Sequence, residues 1–361
     1  MGWLPGHYKY RKAFTIDKTK IGSGTHSLFT AYVPIADDAG FGAHAKADGT
    51  DVCWTKADGT TLLNFQRRAF AVDGGLATGS WEVLLADDIS SAANPLVYAY
   101  YGDADAADLS DADGAWNSNV VGAWYLGEAA GTGAGNYKDA SAYGNHGTLT
   151  DADADTTSVE GKIGNCVDFA GDADYINCGS GASLDNLTER TIEVWGVPDT
   201  SGPSTYGRWV GKGDPNGWYL WTNYDILLYG FSQAFADGTN YWRFTSAATG
   251  WRHIAITYAG SPTGGLVAYV NGEACDVEKV GTAVGAQVDD SAGSLILGNR
   301  VAGDRAFDGK IDEARVHNVI RSAGWILTRY NNESSPGTFV TAGAEEAFVR
   351  IPQYYHRMKV R

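Results

Sequence analysis

Residues 251–273, WRHIAITYAGSPTGGLVAYVNGE, constrain the fold more than any other stretch of the chain. From Trp251 to Tyr258 the side chains alternate, with Ile254, Ile256 and Tyr258 on one face and Trp251, His253, Ala255 and Thr257 on the other. A Gly/Ser/Pro/Thr turn follows, and Leu266 to Val270 predicts a returning strand that ends in Asn271-Gly272. Both faces carry bulky or apolar groups, whereas a strand wetted on one side alternates apolar with polar. The hairpin therefore belongs inside a packed two-sheet β-sandwich.

Composition supports an all-β chain: 47 Gly and 20 Tyr stand against 2 Met, and long periodic Ala/Leu/Glu/Lys runs are missing. At 361 residues the chain can hold two domains, each with its own core. A formal net charge of -16 argues against nucleic acid or an anionic membrane as the main partner. No run approaches the ~18 apolar residues of a membrane-spanning helix. The opening MGWLPGHYKYRKAF lacks the apolar segment and cleavage site of a signal peptide. The expectation is a protein that reaches the outside by another route, as a virion component does, or a fragment of something larger.

The order tryptophan–basic–histidine, strand, turn, strand, Asn-Gly-Glu resembles the signature hairpin of LamG-like, concanavalin-type jelly rolls. VVGAWYLGEAAG, KDASAYGNHGTL, GKIGNCVDFAGDADYINCG, RTIEVWGVPD, SLILGNR and FDGKIDEARVHN occur around it in the order of such a module. The resemblance implies a jelly roll over residues 119–335, of a kind that mostly binds sugars or other surfaces and less often cuts them. Residues 1–102 read as a first β-sandwich. YKYRKAFTI, a hairpin turning at Asp58-Gly59, SWEVLLADDI and PLVYAYYGD supply its strands. Tyr10-Arg11-Lys12, Gly49-Thr50-Asp51 with Trp54, Trp81-Glu82-Val83 and Tyr100-Tyr101-Gly102 resemble an uncharacterised domain family. That family often precedes LamG-like modules in prokaryotic and phage surface proteins, and it brings no known activity. Residues 103–118, small and acidic, read as a linker.

Near the end, IRSAGWILTRYNN places Trp325, Ile326 and Tyr330 near one face and predicts a helix over Ser322 to Asn331. Residues 336–361 read as a basic aromatic tail, with Arg350, Tyr354, Tyr355, Arg357, Lys359 and Arg361. Such a tail either docks on an acidic neighbour or forms a last strand or a frayed end.

Cys166 and Cys178 stand symmetrically about Gly171-Asp172, an expected hairpin turn, and so could face each other. Four buried reduced thiols, Cys53, Cys166, Cys178 and Cys275, are the preferred expectation. Cys-x-x-Cys and His-x-x-x-His pairs are lacking, which argues against zinc.

Three site readings follow. The jelly-roll resemblance implies a structural calcium ion shared by Glu128, Asp139 and Asp312, since calcium gathers hard oxygen ligands from loops. The alternative is that Asp312 and Glu313 pair with Arg315 or with turn amides. A ligand face is implied by the loops KGDPNG and GNRVAGDRAFDG, which resemble the calcium-holding pair of pentraxin-like jelly rolls but lack their run of acids. It comprises Asp214, Asn216, Trp218, Asn299 and Asp304, with Trp221, Tyr224 and Trp242 nearby to stack on a sugar; turn formers and core tryptophans are the competing reading. Glycoside hydrolysis needs two carboxyls about 5 Å apart in a retaining enzyme. The pattern Glu-x-Asp-x-x-Glu is absent, and Glu193 stands alone on its strand. Asp151, Asp153 and Asp155 open like an EF-hand loop, but Thr156 and Lys162 occupy the positions that need Gly and Glu, leaving an acidic surface loop.

The sequence therefore predicts a non-catalytic surface or adhesion protein, a phage tail or decoration component with a glycan-binding module. It would sit on a virion or extracellular surface, contacting glycan or other virion subunits, as a homo-oligomer or part of a larger assembly. A fragment of a secreted bacterial adhesin is the alternative, with a glycan-cleaving enzyme far behind.

Overall fold

The computed structural model describes residues 2–150, 155–199, 206–223, 228–246 and 250–349. The architecture is all-β, two sandwiches in tandem. The first pairs a four-stranded sheet with a three-stranded one. In the larger sheet Val340–Ala347, Tyr10–Ile16, Leu96–Tyr101 and Cys53–Lys56 lie side by side; in the smaller, Thr30–Asp38, Leu76–Leu84 and Phe65–Asp73. Trp54 from one sheet and Trp81 from the other meet edge-on at 5.6 Å in the core between them.

The second sandwich packs two eight-stranded sheets around Trp209, Trp218, Ile192, Ile254 and Phe231. One sheet runs through Gly207–Lys212, Trp218–Asn223, Leu228–Phe235 and Gly238–Thr245; the other through Asp308–His317, Arg190–Pro198, Arg252–Tyr258 and Leu266–Val270. Every residue from Arg252 to Tyr258 is buried, as the hairpin's two apolar faces require. Ile254 and Ile256 enter the jelly-roll core, while Ala255 and Tyr269 pack into the cluster of the first sandwich.

What covers that second face is the helix Ala323–Ser334, capped by Ser322, whose side chain accepts from Trp325 N. Trp325 and Ile326 join the first core, and Glu333 accepts the Trp195 indole N–H at 2.7 Å from the other side. Asn332 binds both the N–H and the C=O of Tyr32, at 2.8 Å each, extending a strand of the first sandwich with a side chain. The approach is tight at Gly324, where a Cβ would lie 1.8 Å from Ser23 O.

Between the sandwiches lies a closed set of charges. Arg68 reaches Glu82 at 3.2 Å and Glu313 at 2.6 Å, with its guanidinium 3.9 Å above the Tyr125 ring. Arg315 pairs with Glu313 and, at 2.7 Å, with Glu333; Arg329 stands 3.6 Å from Glu333 and lies over Phe29. Glu193, alone in the sequence pattern, is fully buried with His317 Nε2 2.8 Å and His253 Nε2 3.4 Å away, although neither ring N–H is aligned onto its oxygens.

Burial lowers His317 to about 4, so the ring is neutral at pH 7, its Nδ1 accepting from Arg321. A depressed histidine contributes stability that is full above its ordinary value near 6.5 and lost as pH falls toward 4. Urea unfolding at pH 7 and pH 5 should show the native chain losing more stability than His317→Gln, by at most about 1.4 kcal/mol per pH unit.

The residues expected to form a linker are folded down: Asp111 N donates to Phe65 O, and Ala115 and Trp116 are buried. Beyond residue 336 the chain returns to the first sandwich. Val340–Ala347 pairs antiparallel with Tyr10–Ile16, and Phe339 is fully buried. The expected basic aromatic tail thus begins with a last strand, and residues 350–361 lie outside the described residues. The four cysteines are free. Cys166 sits on Asn165–Ala170 in one jelly-roll sheet, and Cys178 follows Tyr175–Asn177 in the other, so the two do not face each other across a hairpin. Among the described residues no helix is long and apolar enough to cross a membrane.

Candidate functional site

The jelly-roll sheet that faces away from the first sandwich carries two register rows of side chains on its outer surface. Arg208 pairs with Trp221, Trp221 with Gly230, and Gly230 with Arg243. Alongside, Gly211 pairs with Tyr219, Tyr219 with Ser232, and Ser232 with Tyr241. Period-two alternation sends Trp218, Leu220, Phe231 and Trp242 into the core and leaves these rows outside.

Small residues on the central strand make the hollow. A Cβ at Gly230 would lie 2.3 Å from Trp221 Cζ2, so the indole can lie down over the glycine toward Arg243. Its N–H donates to Ser232 Oγ at 3.0 Å, which fixes the ring. Arg208 lies 3.8 Å above the Tyr219 ring and is held at 2.6 Å by Asp214. Tyr206 meets Trp221 edge-on at 5.2 Å and is 42% exposed, so it forms the rim while Trp221, 4% exposed, forms the floor. With Tyr241, Arg243 and Arg305 these groups enclose about 300 Å³, at the small end for ligand pockets. Among the described residues its lining holds aromatic rings and guanidinium groups and no carboxylate. Such a surface can stack on a ring and donate to oxygens.

Other hollows are less suited. One of about 290 Å³ in the first sandwich is walled by Leu63, Leu85, Ile89, Leu96 and Val97, without an aromatic ring. A larger one, about 480 Å³, lies between the sandwiches, and its Arg68 and Tyr125 already serve the buried charge set.

The expected ligand residues scatter. The two loops do meet: Arg300 bonds Asp304 at 2.5 Å and stands 3.7 Å from Asp214. Both carboxylates are thereby committed to arginines, and the hydrogen bond from Arg300 draws Asp304 down to about 2. Asn299 pins the loop, its amide donating to Asp172 O and Asp174 O and its oxygen accepting from Arg300 N and Arg305 N. Asn216 is exposed at a turn. Trp218 is a correction: it is fully buried in the core and presents no ring to a ligand. Trp242 is buried likewise, Trp221 is the one that reaches the outer face, and Tyr224 lies outside the described residues.

The expected calcium ligands do not converge either. Asp139 accepts from Ala123 N, Ser141 N, Ser141 Oγ and Asn145 N, which occupies both oxygens with a loop of its own. Asp312 accepts from Lys162 N and Ile163 N, and Glu128 from Lys138 N. Among the described residues the groups of three or more such ligands whose atoms come within 4.8 Å of one another are Asp155, Asp172 and Asp174, and Asp103 and Asp105 with His7. Glu128, Asp139 and Asp312 do not fit one ion.

A family model described as the concanavalin A-like lectin/glucanases superfamily matches residues 170–327. The second sandwich is a concanavalin-like jelly roll. Among solved structures, the binding domain of Paraclostridial Mosquitocidal Protein 1 is similar at 15% identity and TM-score 0.43, over 59% of this chain and 52% of that one. Domain 4 of AbnA, a GH43 extracellular arabinanase from Geobacillus stearothermophilus in complex with arabinotriose, aligns at 17% identity and TM-score 0.40, over 59% and 98%. The botulinum neurotoxin type G receptor binding domain aligns at 13% and 0.43, over 59% and 51%. The chain thus spans about half the length of the first and third of these. No curated protein matches it in sequence.

Proposed function

We propose that this protein is a non-catalytic surface-recognition protein whose jelly roll binds a saccharide on its outer sheet face. The observation that carries the reading is the pocket of Tyr206, Trp221, Tyr219 and Tyr241 with Arg208, Arg243 and Arg305. Rings flanked by fixed donors are the combination a sugar requires, with apolar C–H faces and hydroxyl edges. The first sandwich acts as its mount, joined through a buried interface that keeps the binding face turned outward. A virion surface component, tail or decoration protein, seated among other subunits, is the setting proposed for such a mount.

Saccharide-array screening tests the reading, together with product release from a polysaccharide panel. Binding to at least one saccharide with no released product is expected. Release of oligosaccharides, or an array without a single bound saccharide, would contradict it.

A further inference from the structure

We infer that the pocket selects an anionic sugar, bearing carboxylate or sulfate, and that Arg243 is the residue that reads the charge. The inference rests on the saccharide reading and names the class of ligand for that same site.

The arginines in the lining differ in what already neutralises them. Arg208 is held by Asp214 at 2.6 Å. Arg305 donates to Asp304 O at 2.7 Å and stands 3.7 Å from its carboxylate. Arg243 has no ion-pair partner among the described residues, and its Nε is buried without a hydrogen bond. The register row explains its position. Gly230 separates Arg243 from Trp221, so the space between the guanidinium and the indole is kept clear of any side chain from the central strand. A sugar ring lying on the indole floor would have the planar fork of Arg243 donors beside it.

The fork suits two oxygens that share a charge. Guanidinium binds carboxylate and sulfate-like groups through paired, parallel N–H bonds, and hydroxyls satisfy only one arm at a time. Among the described residues the lining itself holds no carboxylate; Asp214 and Asp304 stand beside Arg208 and Arg305, and Glu278 follows Arg243 in the register row without forming an ion pair with it. A face for neutral sugars would more naturally carry Asn, Gln or Asp among its rings, since amides both donate and accept and carboxylates accept. Here the described lining offers tyrosine hydroxyls as its acceptors, and its cations only donate.

The experiment compares matched pairs: oligogalacturonate against its methyl ester, and a sulfated galactan oligosaccharide against its desulfated form. The native chain should bind the anionic member of at least one pair about tenfold or more tightly than the neutral one, the range expected for a charge-assisted bond. Which pair responds distinguishes carboxylate from sulfate. Arg243→Met should bring the anionic sugar to within about twofold of its neutral partner, with Arg243→Lys falling between, and the melting temperature of both variants unchanged. Equal binding of both members in both pairs would overturn the charge reading while leaving saccharide binding in place. Anionic preference that survives Arg243→Met would overturn the assignment to Arg243. Binding to no saccharide at all would overturn the site reading with it.

Discussion

An Arg315→Ala protein is expected to lose about 3–5 kcal/mol of stability, the cost of removing one partner from a buried ion pair. Arg315 is 1% exposed and lies against Glu313 and Glu333 while covering the Trp116 ring at 5.1 Å. Both glutamates are buried. Alanine would leave their charges facing Arg68 and Arg329 in geometry built for a third guanidinium, with a void where the side chain stood. Because Glu313 belongs to the jelly roll and Glu333 to the helix packed on the first sandwich, the loss should appear as one cooperative transition spanning both sandwiches. Urea titration followed by tryptophan fluorescence measures it. Arg300→Ala is the control: its Asp304 partner is 51% exposed, so the change should stay within about 1 kcal/mol. Equal small effects at both positions would mean that the interface charges do not hold the two sandwiches together.

The second large effect concerns the return of the chain to its beginning. A protein ending at Ser335 should fail to form a stable first sandwich. Val340–Ala347 forms the outer strand beside Tyr10–Ile16, with Ile16 opposite Val340 and Tyr10 opposite Ala347. Phe339 is fully buried beside Phe29, at 6.5 Å between ring centres, in the cluster that includes Trp325. Removing that ring alone, in Phe339→Ala, is expected to cost about 3–5 kcal/mol, and the truncation forfeits the strand's hydrogen bonds as well. Thermal melts of the two variants should show Phe339→Ala lowered and the truncated chain without a cooperative transition from the first sandwich. A truncated chain that melts like the full one would show the strand to be an appendage.

Much of the fold was legible in the sequence, because it depends on patterns that propagate locally. The hairpin at 251–273 had to be buried on both faces; its first strand is, with its second face against a helix and another sandwich rather than a sheet partner, whereas the returning strand leaves Val267 exposed. The helix expected over Ser322 to Asn331 is there, with Ser322 as its cap. The site was harder to read for a parity reason. Along Trp218–Asn223 both faces carry aromatic rings, so alternation divides Trp218 from Trp221 without saying which ring is the core one. Gly230 and Ser232 opposite Trp221 and Tyr219 were the missing signal, since small residues mark the open side. The interface charges were illegible for another reason. Arg68, Glu82, Glu313 and Glu333 look like ordinary solvated residues until the second sandwich is brought against them. Asp139 illustrates the limit of reading ligands from residue type, because its oxygens take backbone N–H groups and Ser141 instead of joining Glu128 and Asp312.

The central claim is that saccharide binds on the outer sheet face, over Trp221, and not on the loops at Asp214 and Asp304. Titrating the best array saccharide into the native chain and into Tyr206→Ala tests it most directly. Tyr206 is exposed at the rim, so its loss should leave the fold intact. Binding should weaken by about tenfold or more, as when an aromatic anchor is truncated. An affinity within about twofold of the native chain would contradict it and move the site elsewhere.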